Sequence, residues 1–249
     1  MSLEQIASTP DARPFDRQAF YRRAYQRLKP GWNDSLIVYR SVIDALVQAE
    51  TRVLDVGCGH GNFLGPVYAR TPHTYGVDPD VAALRKNTII KHTIVGTADQ
   101  LPFEDNFFDL IVAAWVFEHL DQPEQACREI YRALKPGGKL IFLTPNTWNY
   151  NVWIIRLIPN RFHDFFTRRL YHRQERDTYR VRYKINSLSA IDKMLLPIGF
   201  TPSQVILNGD PSYISFNKPL FALACLFERL LDVKPFQRAR VHIIGVYQK

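Results

Sequence analysis

Three glycines at alternate positions, Gly57, Gly59 and Gly61, follow the apolar run of "RVLDVGCGHGNF" and stand just beyond Asp55. Backbone without Cβ atoms at that point permits a tight turn and lets a ligand press directly on main chain. A plain strand-to-helix turn would use the same glycines, so their spacing matters more than their number. Dinucleotide sites use G-x-G-x-x-G, with a helix N-terminus facing a pyrophosphate. Here the spacing is one residue shorter. Asp55 is suited to hold a cationic amino group and would repel a pyrophosphate, so the pattern fits an amino-acid-bearing nucleoside.

Two more carboxylates stand in register with that turn. Asp78 closes the run "YGVDPD" about 20 residues past the glycines, where a carboxylate accepts from both ribose hydroxyls. Pro79 follows it, and Asp80 reads as the N-cap of the next helix. Asp99, in "GTADQLPF", is placed to accept from an adenine amino group, with Ala98 and Leu101 against the ring. Helix capping does not account for three acceptors in this order. His60, inside the turn, is expected to face solvent.

The elements that position these residues follow from periodicity. "FDRQAFYRRAYQRL" and "DSLIVYRSVIDALVQA" carry apolar residues at three- and four-residue spacing, which predicts helices over Phe15 to Leu28 and Asp34 to Ala49. Strands at 53–56, 74–77 and 89–95 then alternate with helices at 61–70 and 79–87. "FDLIVAAWV", "QPEQACREIYRAL" and "KLIFLT" continue as strand, helix and strand, so the sheet is parallel. From Asn146 the rhythm gives way to aromatic and basic residues and returns with "SLSAIDKMLLPIGF", "SQVILN", "PLFALACLFERLL" and "VHIIGVYQ". The expected fold is α/β: a Rossmann-like, doubly wound, mostly parallel seven-stranded sheet with helices on both faces. An inserted lobe follows the fifth strand. The expected division is N-terminal helices over 1–50, a nucleoside-binding core over 51–146, the lobe over 147–185, and the rest of the sheet over 186–249.

Composition sets outer bounds. With 249 residues, 46% of them hydrophobic, the chain can bury a sizeable core without staples. Cys58, Cys127 and Cys225 are odd in number, far apart and in no CxxC pair, which argues against a disulfide framework or structural zinc. The N-terminal stretch lacks a signal-peptide pattern, and no apolar run approaches the roughly 20 residues of a membrane span. A cytoplasmic location is therefore expected. The net charge of +8 admits nucleic acid, an anionic membrane or an acidic substrate as partner.

Taken together, "VLDVGCGHGNF", "YGVDPD" and the stretch from "GTADQLPFEDNFFDLIVAAWVFEHL" to "KPGGKLIFLTPN" resemble the class I S-adenosylmethionine-dependent methyltransferases. The match runs from about Val53 to Asn146 and is nearest the quinone-biosynthesis and small-molecule branch. The resemblance implies S-adenosylmethionine as cofactor and S-adenosylhomocysteine as product. It places Asp55 and Gly57 at the methionine moiety, Gly59 at the nucleoside, Asp78 at the ribose, Asp99 and Leu101 at the adenine, and Trp115 beside the sulfonium. Gly61 and Pro79 complete the expected cofactor set.

Methyl transfer from a sulfonium is an in-line displacement, in which alignment in a dry pocket does much of the work. A base matters only for a protonated acceptor. The resemblance places His119 of "WVFEHL" near the transferred methyl, where an imidazole of pKa roughly 6.5 could take a phenol or hydroxyl proton. Glu118 beside it is the second catalytic candidate, and the alternative is that both residues pin the loop. Some relatives hold a divalent metal through E-x-x-E-H on this loop. Trp115 occupies the first position here, so no metal is expected.

The acceptor is expected under the lobe and the N-terminal helices. Trp148, Tyr150, Trp153, His163, Tyr171 and His172 could line a pocket for a hydrophobic small molecule, natural product or glycan. The same side chains could equally form the lobe's own core. "NKPLFALACLFERLLDVKPFQRAR" joins an apolar helix to a basic tail and is compatible with a peripheral membrane contact, although packing on the sheet explains the same residues. RNA methylation is the competing enzymatic reading. It is disfavoured because "DLIVAAWV" is not followed by the (D/N)-P-P-(Y/F) loop of base-amine methyltransferases, so no nucleic-acid partner is expected. A nicotinamide-binding oxidoreductase and a non-catalytic cofactor-binding protein remain as readings from other classes.

Overall fold

The computed structural model describes residues 14–152 and 181–249. Seven strands form one sheet in the order β3-β2-β1-β4-β5-β7-β6. They are β1 (Val53–Val56), β2 (Thr74–Asp78), β3 (His92–Val95), β4 (Phe108–Ala114), β5 (Leu134–Pro145), β6 (Thr201–Asn208) and β7 (His242–Gln248). β1 lies between β2 and β4 and pairs with both in parallel, as β2 does with β3 and β4 with β5. All four β1 residues are buried, which is why its run lacks the alternation of a half-exposed strand. β7 runs against β5. Gly137 donates to the Lys249 carbonyl and Lys249 to that of Gly138, while Phe142, further along β5, stacks on Tyr247. The expected mostly parallel, seven-stranded fold is therefore present.

The helices are α1 (Pro14–Leu28), α2 (Ser35–Asp44), α3 (Gly65–Tyr68), α4 (Val81–Leu84), α5 (Pro123–Ala133), α6 (Leu188–Leu195) and α7 (Lys218–Leu230). Three are shorter than their periodicity predicts, each for a local reason. α2 stops at Asp44 because the Arg70 guanidinium takes the carbonyls of Asp44 and Val47. Side chains occupy the groups that would extend α3 and α4. Asn62 Oδ1 accepts from the Leu64 amide and Asp80 Oδ1 from Ala82 and Ala83, so each helix begins late.

The chain divides into two compact units. One comprises Ser35–Pro145, Ile243–Lys249 and the residues between 181 and 206. Its core joins Tyr39, Ile43 and Val47 from α2 and its C-terminal turn to Tyr68, Val112, Ile141 and Ile244. The second contains α1, residues 146–152 and Leu207–His242. Tyr21, Tyr25, Trp32 and Phe221 form an aromatic core there, and the Trp32 indole donates to the Gly209 carbonyl. The two N-terminal helices thus belong to different units. Within the second unit Arg22 bridges Asp34 and Asp210, and the Tyr150 hydroxyl donates to buried Glu228 on α7. Burial pushes Glu228 up to about 7, against that hydrogen bond.

Candidate functional site

Because β1 to β4 are parallel, the loops that follow them leave the sheet at one edge. The turn after β1 carries the glycines in left-handed conformations, with φ of 72° at Gly57, 49° at Gly59 and 100° at Gly61. Gly57 is constrained twice, since a Cβ there would stand 2.6 Å from Val116 Cγ2 in the loop after β4. The turn is held at its middle residue by two side chains. Gly59 donates to Asp78 Oδ2 at 2.9 Å, and Asn87 Nδ2 donates to the Gly59 carbonyl at 3.1 Å. His60 is exposed, as expected.

Asp55 is 2% exposed, with Oδ2 accepting from the Tyr68 hydroxyl and from Asn62 Nδ2, both at 2.7 Å. Burial pushes its carboxyl up to about 6, although both hydrogen bonds pull the other way. Oδ1 accepts from no described side chain. A buried carboxylate with one oxygen left over suits a cation, which supplies both charge and donor. Asp78, also buried, uses Oδ2 on Gly59 and Oδ1 on the Asp80 amide at 2.8 Å. Each oxygen has a second lone pair for a hydroxyl donor. Pro79, next in the chain, is exposed.

After β3, Asp99 Oδ2 accepts a 3.4 Å hydrogen bond from Gln122. Leu101 is buried, its amide donating to Glu129 and its carbonyl accepting from Arg132. After β4, Trp115 adopts φ of 60°, a strained value for a tryptophan, while its amide keeps the Leu143 carbonyl as partner at 2.8 Å. The strain turns the chain so that Val116 meets Gly57. Glu118 is 2% exposed; its carboxylate accepts from the Thr144 hydroxyl and its carbonyl from the Arg182 and Tyr183 amides. These bonds pin the loop, which is the second role the sequence offered it. His119 is half-buried, and its amide closes a turn onto Val116.

The cofactor candidates Asp55, Gly57, Gly59, Gly61, Asp78, Asp99, Leu101 and Trp115 therefore all lie in one unit, on or just beyond the carboxyl ends of β1 to β4. Trp148 and Tyr150 lie in the other. Trp148 is 60% exposed, whereas Tyr150 is 4% exposed and bonded to Glu228, inside its unit's core. Trp153, His163, Tyr171 and His172 fall outside the described residues. Sequence reasoning misses Asn62, Tyr68, Asn87 and Val116 because each acts on a partner that no short motif links to it. Among the described residues no group of three His, Cys, Asp or Glu could hold a metal ion.

A seven-stranded sheet of this order, with a glycine turn after its first strand and a carboxylate closing its second, defines a nucleoside-binding α/β protein. A family model described as a methyltransferase domain matches residues 54–142. An uncharacterised methyltransferase of Mycobacterium bovis is 32% identical over 146 residues, 52% of this chain and 72% of that protein. The malonyl-[acyl-carrier protein] O-methyltransferase of Haemophilus ducreyi is 34% identical over 113 residues, 39% of this chain and 43% of that one. An S-adenosylmethionine-dependent methyltransferase from Mesorhizobium loti has the same fold, with a TM-score of 0.56, 15% identity, and coverage of 84% of this chain and 96% of that one. The chain belongs to the class I S-adenosylmethionine-dependent methyltransferases. It spans only 39 to 49% of the length of several curated relatives.

Proposed function

We propose that the chain transfers a methyl group from S-adenosylmethionine to the oxygen of a small-molecule acceptor. The observation that carries this reading is the buried Asp55 carboxylate, whose Oδ1 accepts from no described side chain, directly under a glycine turn tied to Asp78. Asp55 holds the α-amino cation, bare backbone at Gly57 and Gly59 admits the methionine and nucleoside, and Asp78 accepts from the ribose. Asp99 and Leu101 flank the adenine, and Trp115 stands at the sulfonium end. The bound cofactor supplies an electrophilic methyl. The protein excludes water, aligns the acceptor and accepts its proton at His119, with Glu118 holding the loop that carries His119.

Oxygen as the methylated atom is supported by the Haemophilus ducreyi relative, which is an O-methyltransferase. Asp55 also weighs against a nicotinamide dinucleotide, because a buried anion beneath the turn repels a pyrophosphate. Calorimetric titration with S-adenosylmethionine, S-adenosylhomocysteine, NADH and ATP tests the reading. Saturable binding of the first two alone is the expected result, and binding of NADH in their place would overturn it. Tritiated methyl transfer to phenols, hydroxy acids, lipids and glycans then identifies the acceptor class.

A further inference from the structure

α7 is apolar on two sides, and only one of them is buried. Phe221 and Ala224 are buried, as is Glu228, all on the face turned into the unit. Spacings of three and four put Leu220, Leu223, Leu226, Phe227 and Leu230 on the other side, at 37 to 55% exposure. The stripe continues past the helix through Val233 at 53% and Phe236 at 58%. Asn146 donates to the Arg238 and Arg240 carbonyls and Tyr150 stacks on Phe227, so the segment bearing the exposed Trp148 adjoins it. A run of seven large exposed apolar side chains within 17 residues is more than scattered surface hydrophobicity.

Its charges say what covers it. Lys218, Arg229, Lys234 and Arg238 flank the stripe and form no salt bridge among the described residues, in which Arg229, Lys234 and Arg238 are exposed. The two acids of the segment are neutralised or hidden. Asp232 pairs with both Lys29 and Arg240, and Glu228 is 1% exposed beneath the helix. A second copy of this chain docked face to face would bring these cations against their own images. An anionic bilayer instead matches both features, taking the apolar side chains among its acyl chains and the cations at its headgroups.

We propose that this face of α7, extended to Phe236, seats the protein on an anionic lipid surface. No helix among the described residues is long and apolar enough to cross a membrane, so the contact lies in the interface. The experiment is flotation of the full chain with vesicles of phosphatidylcholine alone or mixed with phosphatidylglycerol. Binding is expected to the mixed vesicles and to weaken with salt. The pair Arg229→Glu with Lys234→Glu is expected to weaken it roughly 30-fold or more, from about fivefold per surface cation. The pair Leu226→Ser with Leu230→Ser is expected to weaken it roughly tenfold or more. All four residues are exposed, so an unchanged melting temperature shows that the variants fold. Absence of flotation, or equal binding to neutral vesicles, overturns the proposal. So does concentration-dependent dimerisation abolished by the leucine pair, which would assign the face to a second copy.

Discussion

The Gly59 amide donates to Asp78 Oδ2 across 2.9 Å, so the turn after β1 is fixed to the end of β2 by the side chain assigned to the ribose. One carboxylate therefore shapes the turn and, in the proposed reading, also binds the ribose. Asp78→Ala is expected to weaken S-adenosylmethionine binding by roughly 1.5–3 kcal/mol for each charge-assisted hydrogen bond to the ribose, at least tenfold in Kd. The apo protein should also melt earlier, because the Gly59 and Asp80 amides lose their acceptor. A lower melting temperature with unchanged Kd would make Asp78 an anchor of the turn alone.

Gly57→Ala places a methyl group 2.6 Å from Val116 Cγ2 on a backbone at φ of 72°. A left-handed alanine costs about 1–2 kcal/mol, and the overlap adds to it. Urea denaturation should show the loss, and calorimetry a weakened cofactor site. Adding Val116→Ala should recover only the part due to overlap. Full recovery would mean that the backbone angle carries no cost.

Asp55 is expected to give stability and binding opposite pH dependences. Its carboxyl rises from 3.8 to about 6 on folding, so its contribution to apo stability is complete below the lower value and lost as pH rises through the upper. That contribution is up to roughly 3 kcal/mol. Affinity for the cationic amino group should instead grow as pH rises through about 6, where the carboxylate forms. Asp55→Asn should flatten both trends. Affinity of the wild type that is level from pH 5 to 8 would remove the amino group from Asp55.

His242 behaves in the other sense. Burial, reinforced by the Arg22 guanidinium, pushes its imidazole down from 6.5 to about 3. The stability it contributes is full above the unfolded value and is lost as pH falls toward the folded one. Denaturation midpoints at pH 7 and pH 5 should converge in His242→Gln relative to the wild type. An equal fall in both proteins would place the acid sensitivity elsewhere.

Much of this molecule can be read from local pattern, because β1, β2, β4 and α5 each hold their signal within one window. The alternate glycines and Asp78 are legible for the same reason. The lengths of α2 and α3 are not, since Arg70 and Asn62 decide them by bonding to backbone outside the apolar repeat; the start of α4 is legible, because Asp80 reads as its cap. Nor is the inner support of the site legible. Tyr68 reaches Asp55 and Asn87 reaches Gly59 across the fold, and Val116 meets Gly57 only because Trp115 takes a left-handed turn. The exposed side of α7 is hidden for a different reason: composition cannot distinguish an apolar side chain that packs from one that waits for a partner.

The position of β7 bears on how the molecule is made. It follows β6 in the chain yet lies between β5 and β6 in the sheet. On a ribosome, the open edge of β5 would wait while about 100 residues are added, and β6 would have no neighbour until the final strand emerges. Trimming that strand would leave β6 and the edge of β5 unpaired, and the expected result is aggregation during synthesis.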